Sequence, residues 1–181
     1  MSNSVQSIGT PAIARRLISM VYEILLGFAV LFLPFSIFEF AIFEIAKHAS
    51  HTPMVEHMRQ ALLFLVLGAY FIHQWSRQGQ TLAMKTWRIK VVVPGQPHLS
   101  LQAAVVRYLL SWMWVLPALI ADSALGLKKW DTLGVVVLGV LAWAATALFD
   151  KDGQFLHDRL TGTRLIQLPA PPKKKKVAAQ A

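Results

Sequence analysis

One acidic residue, Glu23, lies inside the first long apolar stretch of the chain, residues 17–43. If that stretch forms a membrane-spanning helix, Glu23 lies roughly 9 Å below the start of the helix. An ionised carboxylate without a partner at that depth costs a few kcal/mol, so the side chain is expected to face protein or water rather than lipid. Glu23 is therefore the first candidate for a proton- or cation-binding group.

Two arginines are candidate partners for this acid. Arg107 begins near the same predicted membrane boundary and has a long side chain that can reach inwards. Arg16 precedes Glu23 on the same helical stripe. We predict a Glu23–Arg107 ion pair, with Arg16 as the alternative partner. Such a pair either fixes the register of the helices or forms part of an ion-binding centre.

His157 and Asp158 are adjacent and have the side chains of an acid/base pair. No Ser or Cys nucleophile in a strained turn and no recognisable metal set accompanies them. The favoured interpretation is that Asp158, which precedes a Gly-Thr turn, caps a helix or accepts hydrogen bonds from backbone amides. An ion pair between Asp158 and Arg16 is a further hypothesis.

Glu44, His48 and His51 share side-chain types that bind zinc or nickel, and helical spacing places them on one face. Their spacing matches no closed metal-site pattern, so a solvated loop is the favoured interpretation. The chain contains no cysteine, which excludes disulfides and Cys-ligated metal centres. No cofactor is expected.

The elements that must position these residues are membrane helices. The chain is 55% hydrophobic and only 15% charged, and its mean hydropathy is +0.49, whereas a soluble domain is about a quarter charged. Four apolar stretches lie at residues 17–43, 60–75, 104–121 and 132–149. They predict an all-α membrane protein with about four transmembrane helices. The first stretch is too long for the core of a signal peptide and is interpreted as a retained anchor.

The distribution of basic residues predicts the orientation. Fourteen of the 18 Lys and Arg residues fall in the N-terminus, the second loop and the C-terminus, so both termini are expected to be cytoplasmic. This bias explains the net charge of +9 without a nucleic-acid partner. The run from Lys173 to Lys176 either contacts anionic lipids or belongs to a solvated tail.

Two polar segments, residues 79–93 and 156–166, each end in a β-prone apolar trio. We predict that residues 90–93 and 163–168 pair as a small cytoplasmic β-ribbon. The predicted organisation is a flexible N-terminus over residues 1–11, a transmembrane domain over 12–168 and a disordered Lys-rich tail over 169–181.

These segments resemble those of the RDD family of small bacterial membrane proteins over roughly residues 12–168. The resemblance lies in a basic pair followed by an acid in helix one, in a G-x-T stretch followed by a Lys, in an Arg ahead of a later helix and in an L-H-D-x-x-x-G-T block. The matching residues are Arg15, Arg16 and Glu23; Gly79, Thr81 and Lys85; Arg107; and Leu156, His157, Asp158, Gly162 and Thr163.

Two positions depart from the family pattern. Glu23 stands where the family usually has Asp, and Ala83 stands where it usually has Gly, which argues against a positive φ at that position. The resemblance implies a site at Arg16, Glu23 and Asp158, and ion exchange is suggested for some members of the family.

The resulting functional hypothesis is a non-enzymatic, multi-pass protein of the bacterial inner membrane that transports ions or small solutes through a buried Glu/Arg centre. Transport by so few helices would require a homo-oligomer. The alternative is a non-catalytic module for membrane assembly, lipid binding or partner docking.

Overall fold

The computed structural model describes residues 9–46, 52–126 and 129–169. The chain is mostly helical, as predicted, and its elements follow one another in this order: α1 (Ile13–Ala46), α2 (Pro53–Gln78), α3 (Leu82–Thr86), β1 (Ile89–Val92), α4 (Leu101–Ser111), α5 (Leu116–Leu125), α6 (Lys129–Ala145), α7 (Leu156–Leu160) and β2 (Arg164–Gln167).

Three of the described helices are long and apolar enough to cross a membrane, over Ile13–Ile45, Pro53–Gln78 and Trp130–Leu148. The first of them continues through Pro34. The second is longer than the predicted stretch of residues 60–75. It begins at residue 53, where the Thr52 hydroxyl accepts a hydrogen bond from the Val55 amide, and Pro53 suits the first helical turn.

The third apolar stretch does not form one continuous helix. α4 ends at Ser111, a 3-10 turn covers Trp112–Trp114, and α5 begins at Leu116. Pro117 lies in the first turn of α5, where the amide hydrogen that proline lacks would have no partner within the helix. Pro34, in contrast, is accommodated inside α1. Each of α4 and α5 alone is shorter than the ~20 residues of a bilayer crossing.

The predicted β-ribbon is present. β1 and β2 pair antiparallel, with Ile89 opposite Gln167 and Val92 opposite Arg164. We call this sheet, together with the buried core to which its side chains belong, the ribbon end. The core consists of Trp75, Met84, Ile89, Val91, Leu99, Ala104, Tyr108, Trp143, Ala144, Ala147, Phe155 and Leu165.

The long helices present apolar side chains outwards. Phe28, Phe32 and Phe40 of α1 are all more than half exposed. A soluble protein rarely leaves such a continuous apolar surface uncovered, whereas acyl chains cover it in a bilayer. Of the polar residues that the sequence singles out, several are buried instead: Arg16, Thr81, Arg107, His157, Asp158 and Thr163.

Candidate functional site

Glu23 is held by two hydroxyl groups from different elements. The Tyr70 hydroxyl, on α2, donates to Glu23 Oε1 at 2.8 Å, and the Thr81 hydroxyl, just before α3, donates to Glu23 Oε2. Both contacts are partly buried. We call Glu23, Tyr70 and Thr81 the carboxylate pocket. It joins α1, α2 and α3 through one acidic side chain.

A tight turn positions Thr81. Gly79 ends α2 with a φ of 67°, in the left-handed region, and a Cβ built on it would lie 2.6 Å from the Val91 carbonyl oxygen. Only glycine fits there without a shift. Thr81 then caps α3, because its side-chain oxygen accepts the Met84 amide hydrogen at 3.2 Å. The same hydroxyl thus caps a helix and donates to Glu23.

The other members of that segment do not contact the carboxylate. Lys85 lies in the last turn of α3 with an exposed side chain. Ala83 is fully buried in the same helix and lacks a positive φ. The alanine therefore fits where the family pattern has glycine, since a helical residue needs no left-handed conformation.

The predicted Glu23–Arg107 ion pair is wrong. Arg107 Nη1 donates instead to Asp158 Oδ1 and, at 2.7 Å, to Thr163 Oγ1. The reason is that α4 packs against α7 as well as α2, so the Arg107 side chain contacts Asp158 on α7 rather than Glu23 on α1. Within the described ranges, no lysine or arginine forms an ion pair with Glu23, and the alternative pairing with Arg16 is absent as well.

We call Arg107, Asp158 and Thr163 the ion-paired clamp. All three are almost completely buried, and the Arg107 guanidinium also lies over the Trp75 ring, 5.0 Å from its centroid. A buried charge pair is stable when further hydrogen bonds surround it, and Thr163 supplies one. The clamp ties α4 to α7 and to the start of β2.

The Gly-Thr turn explains how the clamp forms from a short sequence. Gly162 follows α7 with a φ of 64°, and its amide donates to the Arg159 carbonyl at 3.2 Å. The Thr163 amide donates to the Asp158 carbonyl at 2.9 Å. These two bonds form a Schellman motif, which ends a helix and turns the chain back. The motif brings the Thr163 hydroxyl within 3.3 Å of Asp158 Oδ1.

The prediction that the Asp158 side chain caps a helix is wrong. The capping position of α7 belongs to Phe155, and Asp158 lies inside the helix, where its carboxylate turns towards Arg107. The hypothesis of a direct Asp158–Arg16 ion pair is also wrong. The charge of Asp158 acts on Arg16, but Arg107 forms the contact. The second oxygen of Asp158, Oδ2, accepts no hydrogen bond, and the Arg16 guanidinium lies over the Phe155 ring instead.

Arg16 is buried beside the clamp. It lies in the first turn of α1, is 4% exposed, and holds its guanidinium over the Phe155 ring, 4.4 Å from the centroid. Two of its nitrogen atoms, Nε and Nη1, have no hydrogen-bond partner.

His157 is stacked in an aromatic column. Its ring lies nearly parallel to that of Trp143, with the centroids 5.3 Å apart, and Trp143 Nε1 donates to His157 Nδ1 at 3.1 Å. Burial lowers the pKa of His157 to about 4. The imidazole is therefore neutral at pH 7, with its proton on Nε2, 3.7 Å from Asp158 Oδ2.

The weak metal candidates do not form a site in the described residues. Glu44 is exposed, while His48 and His51 fall outside those residues. In the ranges 9–46, 52–126 and 129–169, no group of three or more His, Asp or Glu could hold a metal ion. The four lysines from Lys173 to Lys176 also lie outside the described residues.

Sequence reasoning missed Tyr70 and the aromatic partners of the arginines. The sequence does indicate Tyr70, because its hydroxyl is the sole one in the second apolar stretch, residues 60–75. A hydroxyl group inside a membrane helix needs a hydrogen-bond partner, and the Glu23 carboxylate needs one as well. No comparable signal marked Trp75 or Phe155, since aromatic residues are frequent throughout apolar stretches.

Comparison with known proteins gives one finding. The sequence model of the RDD family matches residues 10–162, which is most of the chain. No curated protein and no solved structure matches the chain.

Proposed function

The chain belongs to the RDD family, and we propose that it is an ion exchanger of the membrane in which Glu23 binds a proton and a small monovalent cation in turn. The family match and the three helices that are long and apolar enough to cross a bilayer point to a membrane protein. The exchange reaction, a location in the bacterial inner membrane and a non-enzymatic role are parts of this proposal.

The observation that carries the proposal is the way in which Glu23 is held. Its two oxygens receive hydrogen bonds from the neutral Tyr70 and Thr81 hydroxyls. A carboxylate in the membrane that is not neutralised by a basic side chain is expensive, so a proton or a bound cation must reduce its charge. A purely structural acid would be expected to share a salt bridge, as Asp158 does with Arg107.

The pocket has suitable chemistry for both occupants. Carboxylate and hydroxyl oxygens are hard ligands of the kind that alkali and alkaline-earth cations prefer. A hydroxyl has one donor and two acceptor sites, so Tyr70 and Thr81 can donate to the ionised acid or accept from the protonated one by rotating. The change of occupant therefore requires little rearrangement of the pocket.

The proposal includes a homo-oligomer. Three described helices reach the length of a bilayer crossing, and α1 leaves most of its apolar surface uncovered. So few helices rarely enclose a path for ions, whereas two or more copies can line one between them.

The test is exchange by the full chain in proteoliposomes. An outward gradient of Na⁺ or K⁺ is imposed, and the internal pH is followed with a trapped dye. The unaltered protein should couple cation efflux to proton uptake. Glu23→Gln should abolish the exchange, because the amide cannot release a proton or carry a negative charge. Tyr70→Phe and Thr81→Val should reduce it, because each removes one ligand oxygen.

Glu39→Gln is the matched control. Glu39 lies on the same helix, is exposed, and pairs with Arg59 at 2.7 Å. It should leave the exchange unchanged. Exchange that survives Glu23→Gln would remove this residue from the mechanism. If the unaltered protein shows no flux and instead copurifies with one stoichiometric partner, the docking alternative would replace the proposal.

A further inference from the structure

The segment that links α2 to β1 carries positive charges that no described acid neutralises. The sequence has no acidic residue anywhere from 57 to 121, yet four basic residues fall between positions 77 and 90. None of the four forms an ion pair with an acid of the described ranges. We call this segment, residues 77–90, the basic segment. Its basic residues are Arg77, Lys85, Arg88 and Lys90.

The other strand of the ribbon has its charges compensated within the chain. Arg164 of β2 lies 2.6 Å from Asp152 Oδ1, and Arg159 of α7 lies 2.8 Å from Asp150 Oδ1. Basic residues that only fix the orientation in the membrane can be paired in this way, because Asp and Glu contribute little to orientation. The basic segment, in contrast, keeps its charge available to a negative partner outside the chain.

Two residues of the basic segment, Arg77 and Lys90, line one cleft. It lies between the end of α2, β1 and the loop before α4, and its interior of about 20 Å³ has room for about one water molecule. The Lys90 stem packs against Gly79, since a Cβ built on this glycine would lie 3.1 Å from Lys90 Cε. His98 lines the opposite side, in the loop before α4. A phosphate group is too large for the interior but can lie at the mouth, where guanidinium and ammonium groups donate to phosphate oxygens.

The position of the cleft favours a membrane lipid over other anions. Arg77 is in the last turn of α2, which is long and apolar enough to cross a bilayer. A long basic side chain at the end of such a helix extends to the level of the lipid headgroups. Leu82 begins the helix before β1 and Leu101 begins the helix after it, and both are exposed. Exposed apolar side chains next to basic ones are typical of a segment that lies at a membrane surface.

We propose that Arg77 and Lys90 bind the phosphate of an anionic phospholipid in the leaflet that faces the ribbon end. The headgroup lies at the mouth of the cleft, and the acyl chains stay in the bilayer beside α2. A zwitterionic headgroup carries its own positive charge, which the two cations repel, so the site prefers a lipid such as phosphatidylglycerol. The site is distinct from the run Lys173–Lys176 and does not depend on exchange at Glu23.

The test is the thermal stability of the full chain in a neutral detergent, titrated with phosphatidylglycerol. The Tm should rise and then level off, and the lipid concentration at half of the rise measures the affinity. Phosphatidylcholine should act only at a much higher concentration. Glycerol phosphate, which has the phosphate without acyl chains, should have no effect at the same concentration. An equal rise with the two lipids, or with glycerol phosphate, would overturn the proposal.

Variants of the two basic residues locate the site. Arg77→Gln and Lys90→Gln should each raise the half-maximal phosphatidylglycerol concentration about 5-fold, which corresponds to the ~1 kcal/mol of a basic residue near an anionic surface. The double variant should raise it about 25-fold. Arg77→Lys should retain most of the affinity, because it keeps the charge.

Lys151→Gln is the matched control. Lys151 is an exposed basic residue in the loop before α7, and it forms no ion pair with a described acid. Its change removes the same charge and should leave the half-maximal concentration unaltered. An increase as large as that of Arg77→Gln would assign the lipid effect to the overall charge of the protein and contradict the site.

A second measurement covers the case in which Lys90→Gln does not fold. Spin-labelled phosphatidylglycerol and phosphatidylcholine are compared by electron spin resonance in phosphatidylcholine vesicles that contain the full chain. The motionally restricted fraction should be larger for phosphatidylglycerol with the unaltered protein, and Arg77→Gln should reduce this excess while Lys151→Gln retains it. Equal fractions for the two lipids, or an undiminished excess in Arg77→Gln, would contradict the site.

Discussion

The carboxylate pocket and the ion-paired clamp each hold one acidic side chain, but they supply its carboxylate with different partners. Asp158 in the clamp is fully buried and receives a guanidinium and a hydroxyl. Glu23 in the pocket is half-buried and receives two hydroxyls. The clamp supplies its own counter-charge, whereas Tyr70 and Thr81 supply none to Glu23, and in the proposed exchange a mobile ion provides it.

If the proposed function holds, this difference separates a structural role from an exchanging one. An acid paired with a buried guanidinium holds its charge in place, and removing either partner leaves an uncompensated charge. An acid that receives only neutral hydrogen bonds can change occupants without breaking an ion pair. The two regions share polar residues of the family pattern, but they differ in what those residues do.

The largest expected effect comes from exchanging each acid for its amide. Asp158→Asn should lower the free energy of unfolding by about 3–5 kcal/mol, because Arg107 loses its counter-charge in a buried position. Glu23→Gln should change it by less than about 1 kcal/mol, because the hydroxyls can bond to the amide. Unfolding in mixed detergent micelles measures both. Equal losses would erase the distinction between the regions.

A double variant sharpens this result. Arg107→Met combined with Asp158→Leu removes both charges of the clamp, so it should recover much of the stability that Asp158→Asn loses. A double variant less stable than Asp158→Asn would indicate that the hydrogen bonds around the pair, rather than its charges, stabilise this region.

The next effect is acid sensitivity at His157, which lies beside the clamp. The pKa of His157 is about 4 in the folded protein and about 6.5 when unfolded. The unfolded chain therefore binds more protons between these values, and stability falls as the pH drops from 6.5 to 4, by up to about 3 kcal/mol. Unfolding measured across that range should show the loss.

His157→Asn should abolish this loss, since the Asn side-chain oxygen can still accept the Trp143 hydrogen bond. His98→Asn changes an exposed histidine and should leave the loss in place. The backbone amides of Gln154 and Asp152 hold the pKa of Asp150 below 3.8, so its contribution is lost only in more acidic solution. Acid sensitivity that persists in His157→Asn would assign the effect elsewhere.

A smaller difference in stability is expected between alanine substitutions at Gly79 and at Gly162, two glycines with similar φ values. A Cβ at Gly79, behind the carboxylate pocket, would meet the Val91 carbonyl oxygen at 2.6 Å, whereas one at Gly162, beside the clamp, would meet no atom within 4 Å. Gly162→Ala should cost about 1 kcal/mol for its backbone conformation alone. Gly79→Ala should cost at least about twice as much and should also reduce exchange, because it displaces Thr81. Paired unfolding and flux measurements test this, and equal costs would contradict it.

The sequence predicted those features that depend on local patterns. The β-prone apolar trios located the ribbon, and the long apolar stretches located α1, α2 and α6. It did not predict the partners of Glu23 and Arg107. Arg107 and Asp158 are 51 residues apart, and Thr81 lies 58 residues from Glu23. Which arginine meets which acid depends on how α4 and α7 pack, and helical spacing along one segment does not determine that.

The positions at which helices end were partly predictable from the sequence. Pro34 and Pro117 both lie inside apolar stretches, yet α1 continues through Pro34 whereas the third stretch is interrupted just before Pro117. The effect of a proline depends on whether neighbouring groups satisfy the freed backbone carbonyl. The Gly-Thr turn after α7 was visible as a motif. Its use as a helix stop that directs Thr163 towards Asp158 became evident only from the hydrogen bonds.

Proton release on cation binding tests the central claim most directly. The full chain in weakly buffered detergent is mixed with Na⁺ or K⁺, and the pH of the solution is recorded. The account predicts release of up to one proton per chain, abolished by Glu23→Gln and retained by Glu39→Gln and by any Asp158 variant that folds. Release of the same size from the Glu23→Gln protein would contradict it, and so would no release from the unaltered protein at any pH at which it is folded.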